Sequence, residues 1–359
     1  MINRFMRYTN PCEKMKPDQH TVYCTFCDAP EHVYPGHPDH PGRLQPMRAW
    51  LEAPPYPEIT WLDYKPAPEE AILRVHHPAL LDRLQQSSRS GPREIDPSPT
   101  YVTKGSYQAA RQAAGATLAL SRRFLTDGQG RGFAIIRPPG HHAEPNRATG
   151  FCLLNNIAIA AADAIASGIR KVAIVDFDAH HGNGTQAAFY NIPQVGYLSI
   201  HEENLYPGTG RLNSAPDAHG RIINVPLPPF ANRAVFLGIF QNIVTPWLRK
   251  FGAEMLLVSA GFDTHFSDPL TTTTLDTCAF YEISQLLIEL AEAYCQDRIL
   301  FVLEGGYDPL ALQDNVQACL AALCGRSTFP NRFGNAPDGY AQITVNINHI
   351  QALHHLSEV

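Results

Sequence analysis

Five short apolar runs in this chain each stop within a few residues of a histidine, a carboxylate or a tyrosine. Phe133–Ile136 leads through Arg137-Pro-Pro-Gly into His141 and His142, and Val172–Val175 leads into Asp176, Asp178 and His180. Gly196–Ile200 precedes His201, Met255–Ser259 precedes Asp263, and Ile299–Leu303 precedes Glu304 and, after two glycines, Tyr307. Short runs without polar alternation suit strands buried on both faces, as in parallel sheets, and helical patterns lie between them. A parallel sheet aims every carboxyl end the same way and binds ligands there. The pattern therefore predicts an α/β fold whose polar residues gather on one rim.

Alanine and leucine recur at helical spacing over 106–125, 154–168, 233–250, 274–295 and 308–323, predicting helices on both faces of the sheet, with a last short helix over 346–356. The first hundred residues are rich in proline and histidine and read as loops shaping an entrance rather than a core, with Ser87–Pro92 and Asp96–Pro99 exposed. No linker separates the motifs, so 1–359 reads as one domain with its core over about 32–324 and an extension over 325–359.

Net charge is −6 and 17% of residues are charged, below the ~25% usual for soluble proteins, with no basic stripe that would bind nucleic acid directly. Met1–Tyr8 lacks the apolar core of a secretory signal, and no run reaches the ~18 apolar residues of a membrane span, so the expected location is the cytoplasm, away from membranes. Eight scattered cysteines read as reduced thiols.

Asp178, His180 and Asp263 offer two carboxylates and one imidazole at two strand ends, a donor set zinc accepts while keeping a fourth position open. Two carboxylates leave the ion less positive than three histidines would, so a general base is needed beside it, and His141-His142 supplies one. Asp176 can orient one imidazole and Asn183 the other; a carboxylate partner raises a histidine's pKa and an amide does not. Tyr307 follows Gly305 and Gly306, which permit close backbone approach, and its hydroxyl suits a developing oxyanion.

The motifs Arg137-Pro-Pro-Gly-His-His-Ala-Glu, Gly150-Phe-Cys-Leu-Leu-Asn-Asn, Asp176-Phe-Asp-Ala-His-His-Gly-Asn-Gly-Thr, Tyr206-Pro-Gly-Thr-Gly, Ser259-Ala-Gly-Phe-Asp with Asp268-Pro-Leu, and Leu303-Glu-Gly-Gly-Tyr together resemble the zinc-dependent histone deacetylase family, nearest its class II and bacterial members, which carry asparagine where this chain has Asn183. The resemblance implies the arginase/deacetylase fold, with a mostly parallel sheet of about eight strands. It implies one catalytic zinc on Asp178, His180 and Asp263, His142 as general base and acid, His141 backed by Asp176 as its electrostatic partner, and Tyr307 polarising an amide carbonyl. It further implies a tube for an acyl-lysine stem walled by Phe151 and Tyr206, with the Gly150 carbonyl accepting the substrate amide. Tyr206 stands where the family usually has phenylalanine, adding a hydroxyl to the wall. A potassium ion is implied at Asp176, Asp178, His180, Ser199 and Ile200. Pro99 falls at the rim position that grips substrate backbone, with Asp96 and Ser98 nearby, and Arg43 either lines an acid-release cavity or is a surface arginine.

The reaction so implied removes acetyl or another short acyl group from lysine in a protein or peptide. An acetylpolyamine amidohydrolase acting on small acetylated amines is the alternative, a silent acyl-lysine scaffold the third reading, and a homo-oligomer is compatible with each. An arginase-like two-metal site is short of ligands, because Gly182 and His265 stand at the positions that would complete it. Cys24 and Cys27 lack a second pair and read as thiols, residues 128–132 as a turn, and His76-His77 and His354-His355 as solvated.

Overall fold

The computed structural model describes residues 21–337 and 345–356, so Met1–Tyr8, read above for a leader, lies outside the described residues. In chain order the strands are β1 Val22–Cys27, β2 Ile59–Trp61, β3 Arg93–Glu94, β4 Tyr101–Val102, β5 Gly130–Ile136, β6 Val172–Asp176, β7 Val195–Glu202, β8 Ile222–Leu227, β9 Met255–Ala260 and β10 Arg298–Leu303. β3 and β4 form a small antiparallel pair. The other eight make one sheet in the order β2-β1-β5-β10-β9-β6-β7-β8, and its neighbours pair in parallel throughout.

Every residue of β6, β7, β9 and β10 is buried, as is β5 after Gly130, which is why these strands read as unbroken apolar runs. Successive side chains show the two covered faces. Phe133 stacks toward Phe301 and Phe262, at 5.7 and 6.3 Å, and Phe262 packs on Phe280 of the helix Thr277–Tyr294. A Cβ on its neighbour Gly132 would instead meet Phe124 of the helix Ser106–Asp127 on the opposite face. The helix Asn156–Ala166 joins the second layer and Pro309–Leu323 the first.

β5, β10, β9 and β6 are adjacent in the sheet, so the loops after four neighbouring strands meet at one rim. The chain builds outward from β6 through β7 to β8 and then returns to the centre for β9 and β10. β8 is an edge strand, which explains how it tolerates Pro226.

Several expectations are corrected. The first hundred residues contribute β1 and β2 to the sheet, with Cys24 fully buried, and the helix Pro78–Ser90 runs through the serines read as exposed loop. His76 and His354 are buried rather than solvated: the Asn155 N–H donates to His76 Nε2 at 2.9 Å, and the Gly220 N–H to His354 Nδ1 at 3.1 Å. The expected helix over 233–250 is observed as Arg233–Ile239, a wider π-turn Phe240–Val244 and Thr245–Phe251, and Pro246 has no N–H to continue a regular ladder.

Candidate active site

Asp178 and His180 follow β6, and Asp263 follows β9. Among the described residues they form the one group of three or more His, Cys, Asp or Glu side chains whose donor atoms converge, all within 4.8 Å of one another. His180 Nδ1 lies 2.8 Å from Asp263 Oδ2 and 3.2 Å from Asp178 Oδ1. The carboxylate side chains are 1% and 0% exposed and the imidazole 14%, so the cluster opens to solvent on the histidine side. Burial and the Asp178 charge push the Asp263 carboxyl up from its ordinary value. Close packing is built in: a Cβ at Gly305 would fall 2.4 Å from Asp263 Oδ2, and one at Gly261 2.0 Å from Asp178 Oδ2. The Gly305 N–H also donates to Asp178 Oδ2 at 2.9 Å. One nitrogen and two carboxylates with an open side fit a divalent ion of the zinc type. Gly305 and Gly306 were expected to bring the backbone near substrate; the crowding observed is between Gly305 and the carboxylates of Asp178 and Asp263.

His141 and His142 lie on the turn after β5, their rings 4.0 Å apart. That turn is held by Glu304 at the end of β10, whose Oε2 accepts the N–H groups of Gly140 and His141 at 2.7 and 3.1 Å. Burial pushes Glu304 up to about 7. The two histidines have different partners. His141 Nδ1 meets Asp176 Oδ2 at 3.1 Å, and Tyr197 Oη donates to the same oxygen. Burial disfavours charge on His141, but Asp178 and Asp176 outweigh it and push the ring up to about 10. His142 Nδ1 meets Asn183 Oδ1 at 2.8 Å, while Asn183 Nδ2 donates to Glu144 Oε1 at 2.8 Å. A carboxylate only accepts, so Glu144 fixes the amide's orientation, His142 Nδ1 carries the proton, and Nε2 keeps a free lone pair. Burial and the charges of His141 and His180 hold His142 well below the ordinary histidine value. One ring is thus held charged and the other neutral.

Tyr307 follows Gly306, its N–H held by Asp268 Oδ2 at 2.7 Å. Burial pushes its phenol well above the ordinary range, so it stays protonated as a donor. The Arg43 guanidinium lies 4.8 Å from its ring centroid. Arg43 is fully buried, which excludes the surface reading: it donates to the carbonyls of Gly306 and Glu304 and to Asp39 Oδ1, each at 2.7 Å. Asp39 also takes Arg137, at 2.8 and 3.0 Å, and these two arginines hold its buried carboxyl below the usual range.

Above the histidines stand two aromatic walls. Tyr206 packs edge-on to His142 at 4.9 Å, and Phe151 edge-on to Tyr307 at 5.9 Å and to His37 at 4.5 Å. Phe151 adopts φ +67°, a left-handed conformation costing a non-glycine residue on the order of 1–3 kcal/mol unless its surroundings enforce it. The Tyr206 hydroxyl, expected in the wall, turns away to Thr149 Oγ1 at 2.6 Å. Pro99 uses its carbonyl on His37 Nε2 at 3.1 Å, and the side chains of Asp96 and Ser98 are hydrogen-bonded to the Thr149–Gly150 loop.

The structure brings Asp178, His180, Asp263, His141, His142, Asp176, Asn183 and Tyr307 to one rim. Asp39, Glu144, Asp268 and Glu304 were given no role from sequence, although Glu144, Asp268 and Glu304 lie inside the motifs quoted for the resemblance. Only Glu304 carried a local signal, as an acidic residue directly after the apolar run Ile299–Leu303. The cysteines read as thiols sit within β1, three residues apart and so on opposite faces, where they cannot share an ion.

The sequence profile of the histone deacetylase domain matches residues 37–323. The chain belongs to the histone deacetylase family. This histone deacetylase family member is therefore a hydrolase of the deacetylase class, and its sheet and helices form the arginase/deacetylase fold. It is 37% identical over 286 residues to "Histone deacetylase 14, chloroplastic" of Arabidopsis thaliana, covering 76% of this chain and 68% of that one. It is 35% identical over 246 residues to the histone deacetylase-like amidohydrolase of Pseudomonas aeruginosa, covering 67% and 64%. The crystal structure of the HDA15 HD domain superimposes with a TM-score of 0.79 at 31% identity, over 88% of this chain and 91% of that one.

Proposed function

We propose that the protein is a zinc-dependent amidohydrolase that removes acetyl or other short acyl groups from lysine side chains. The observation that carries this reading is the histidine pair of opposite character, one carboxylate-backed and one amide-backed, beside the Asp178–His180–Asp263 cluster. Asp178, His180 and Asp263 would hold the divalent ion, and the chemistry it would supply there when bound is Lewis-acid polarisation of an amide carbonyl and of water.

The chain's own groups do the rest. Phe151 and Tyr206 flank the unbranched lysine stem and exclude water, and the Gly150 carbonyl accepts the amide N–H. His142 Nε2, free and neutral, takes the proton of the attacking water and later delivers it to the departing amine. His141, charged and paired with Asp176, stabilises the negative charge that builds up beside it. Tyr307 Oη donates to the carbonyl oxygen as it becomes an oxyanion. The products are a short carboxylic acid and a free amine. Asp176, Asp178 and His180 together with Ser199 and Ile200 form the proposed potassium site; Asp176 and Ser199 pair across β6 and β7, which supports the grouping.

The test is turnover of a panel of acyl-lysine peptides beside acetylated putrescine and spermidine, with metal stripped by a chelator and zinc restored. Hydrolysis of the peptides that vanishes on stripping and returns with zinc is expected. Faster turnover of the polyamines would move the assignment to an acetylpolyamine amidohydrolase, and no turnover of either would overturn it.

A further inference from the structure

We infer that Tyr206, Thr149, Asp96 and Ser98 form a clasp that fixes the spacing of the two aromatic walls and so sets which amine stems the site admits, an inference that rests on the reading above. The Thr149 hydroxyl donates to Asp96 Oδ1 at 3.0 Å, and since it has one proton, the 2.6 Å contact with Tyr206 is a bond donated by the tyrosine. The same Asp96 oxygen takes the Ser98 N–H at 2.9 Å and the Ser98 hydroxyl. Ser98 Oγ in turn accepts the Gly150 N–H at 3.0 Å, and Thr100 Oγ1 the Phe151 N–H at 3.1 Å. A continuous chain of hydrogen bonds therefore runs from the Tyr206 wall through Thr149, Asp96 and Ser98 to the Gly150 N–H, and Thr100 of the same loop separately ties the Phe151 N–H.

Each wall belongs to a loop after a different strand, β7 for Tyr206 and β5 for Phe151, and these strands are not neighbours in the sheet. Backbone pairing thus does not set their separation. The clasp does: the turn that holds Gly150 and Phe151 at positive φ is closed by its own Thr149–Cys152 backbone bonds, at 3.1 and 3.0 Å, and the clasp ties that turn to the opposite wall. Phenylalanine at 206 would keep the wall and lose the tie. Asp96 Oδ1 is consumed internally, so this oxygen serves the slot's width rather than a peptide backbone.

The experiment compares wild type with Thr149→Val, Thr149→Ser, Tyr206→Phe and the double variant Thr149→Val/Tyr206→Phe. The readout is the ratio of kcat/KM for a linear acetyl-lysine peptide to that for the same peptide carrying a bulkier 4-(acetamidomethyl)phenylalanine. Amide exchange at Gly150 and Phe151 is followed in parallel. Tyr206→Phe is expected to lower the ratio about two- to tenfold, the scale of one neutral hydrogen bond, and Thr149→Val, which also loses the bond to the Asp96 carboxylate, at least as much. Thr149→Ser, which keeps the hydroxyl, is expected to restore it, and the double variant to fall less than the product of the singles. Exchange at both amides is expected to quicken in Thr149→Val alone among the two Thr149 variants. Wild-type inactivity on both peptides would overturn the activity reading. An active wild type with an unchanged ratio, multiplicative singles, or unaltered exchange in Thr149→Val would overturn the clasp.

Discussion

The floor of the site and its mouth are built by different physics. The floor is charged, with Asp178, Asp263, Asp176 and His141 buried and His180 partly open; all are held on the ends of β6, β9 and the turn after β5, where sheet pairing fixes the strand ends. The mouth is partly exposed and holds far less charge: Phe151 and Tyr206 stand on loops tied to one another by hydroxyls gathered on the Asp96 carboxylate. Breaking a buried charge partner leaves an uncompensated charge, costing far more than the loss of one exposed hydrogen bond. Reaction chemistry should therefore be sensitive to the floor and substrate choice to the mouth.

The largest effect expected is that of Asp178→Ala, which removes a ligand and leaves Asp263 and His180 unable to hold an ion; turnover should fall to background and elemental analysis should find no metal. An active, metal-loaded variant would show that the floor is misassigned. His142→Ala should lower kcat by about 10²–10⁴-fold, the contribution of a general base, with metal retained, measured under saturating peptide. Tyr307→Phe should cost roughly 10²–10³ in kcat, again with metal in place, since one oxyanion donor is lost.

Asn183→Asp sharpens the contrast within the floor itself. A carboxylate beside His142 favours its charged form, so the pKa rises, and because the neutral form is the base, the acid limb of kcat/KM should move to higher pH. An unmoved limb would detach Asn183 from the base. The smallest effect belongs to the mouth: Ser98→Ala loses the bond from the Gly150 N–H and the one to the Asp96 carboxylate, both partly exposed, and should change KM by about a few-fold, with kcat nearly constant.

The floor was legible in the sequence because its residues follow apolar runs that betray their strands, and a parallel sheet brings all such ends together. The ties that hold it were harder to see. Glu304 and Glu144 act on atoms 163 and 39 positions away, a relation that no local spacing encodes. β1 was hidden because its alternation of cysteine with aromatics lies in a region dominated by proline and histidine, and β8 because Pro226 argues against a strand until its edge position is known. His76 was misjudged, and Arg43 was left open between a buried and a surface place, for one reason: a polar side chain looks solvated until the backbone groups that satisfy it, from Asn155, Gly306 and Glu304, are known.

The place of β1 bears on how the protein can be produced. Val22 through Cys27 pairs with Arg131 through Ile136, whereas the recognisable domain begins only at His37. Expressing the chain from that apparent start would strip β5 of its neighbour and leave an unpaired hydrogen-bonding border on an apolar strand, an invitation to intermolecular aggregation. A shortened version meant to stay soluble has to begin ahead of Val22.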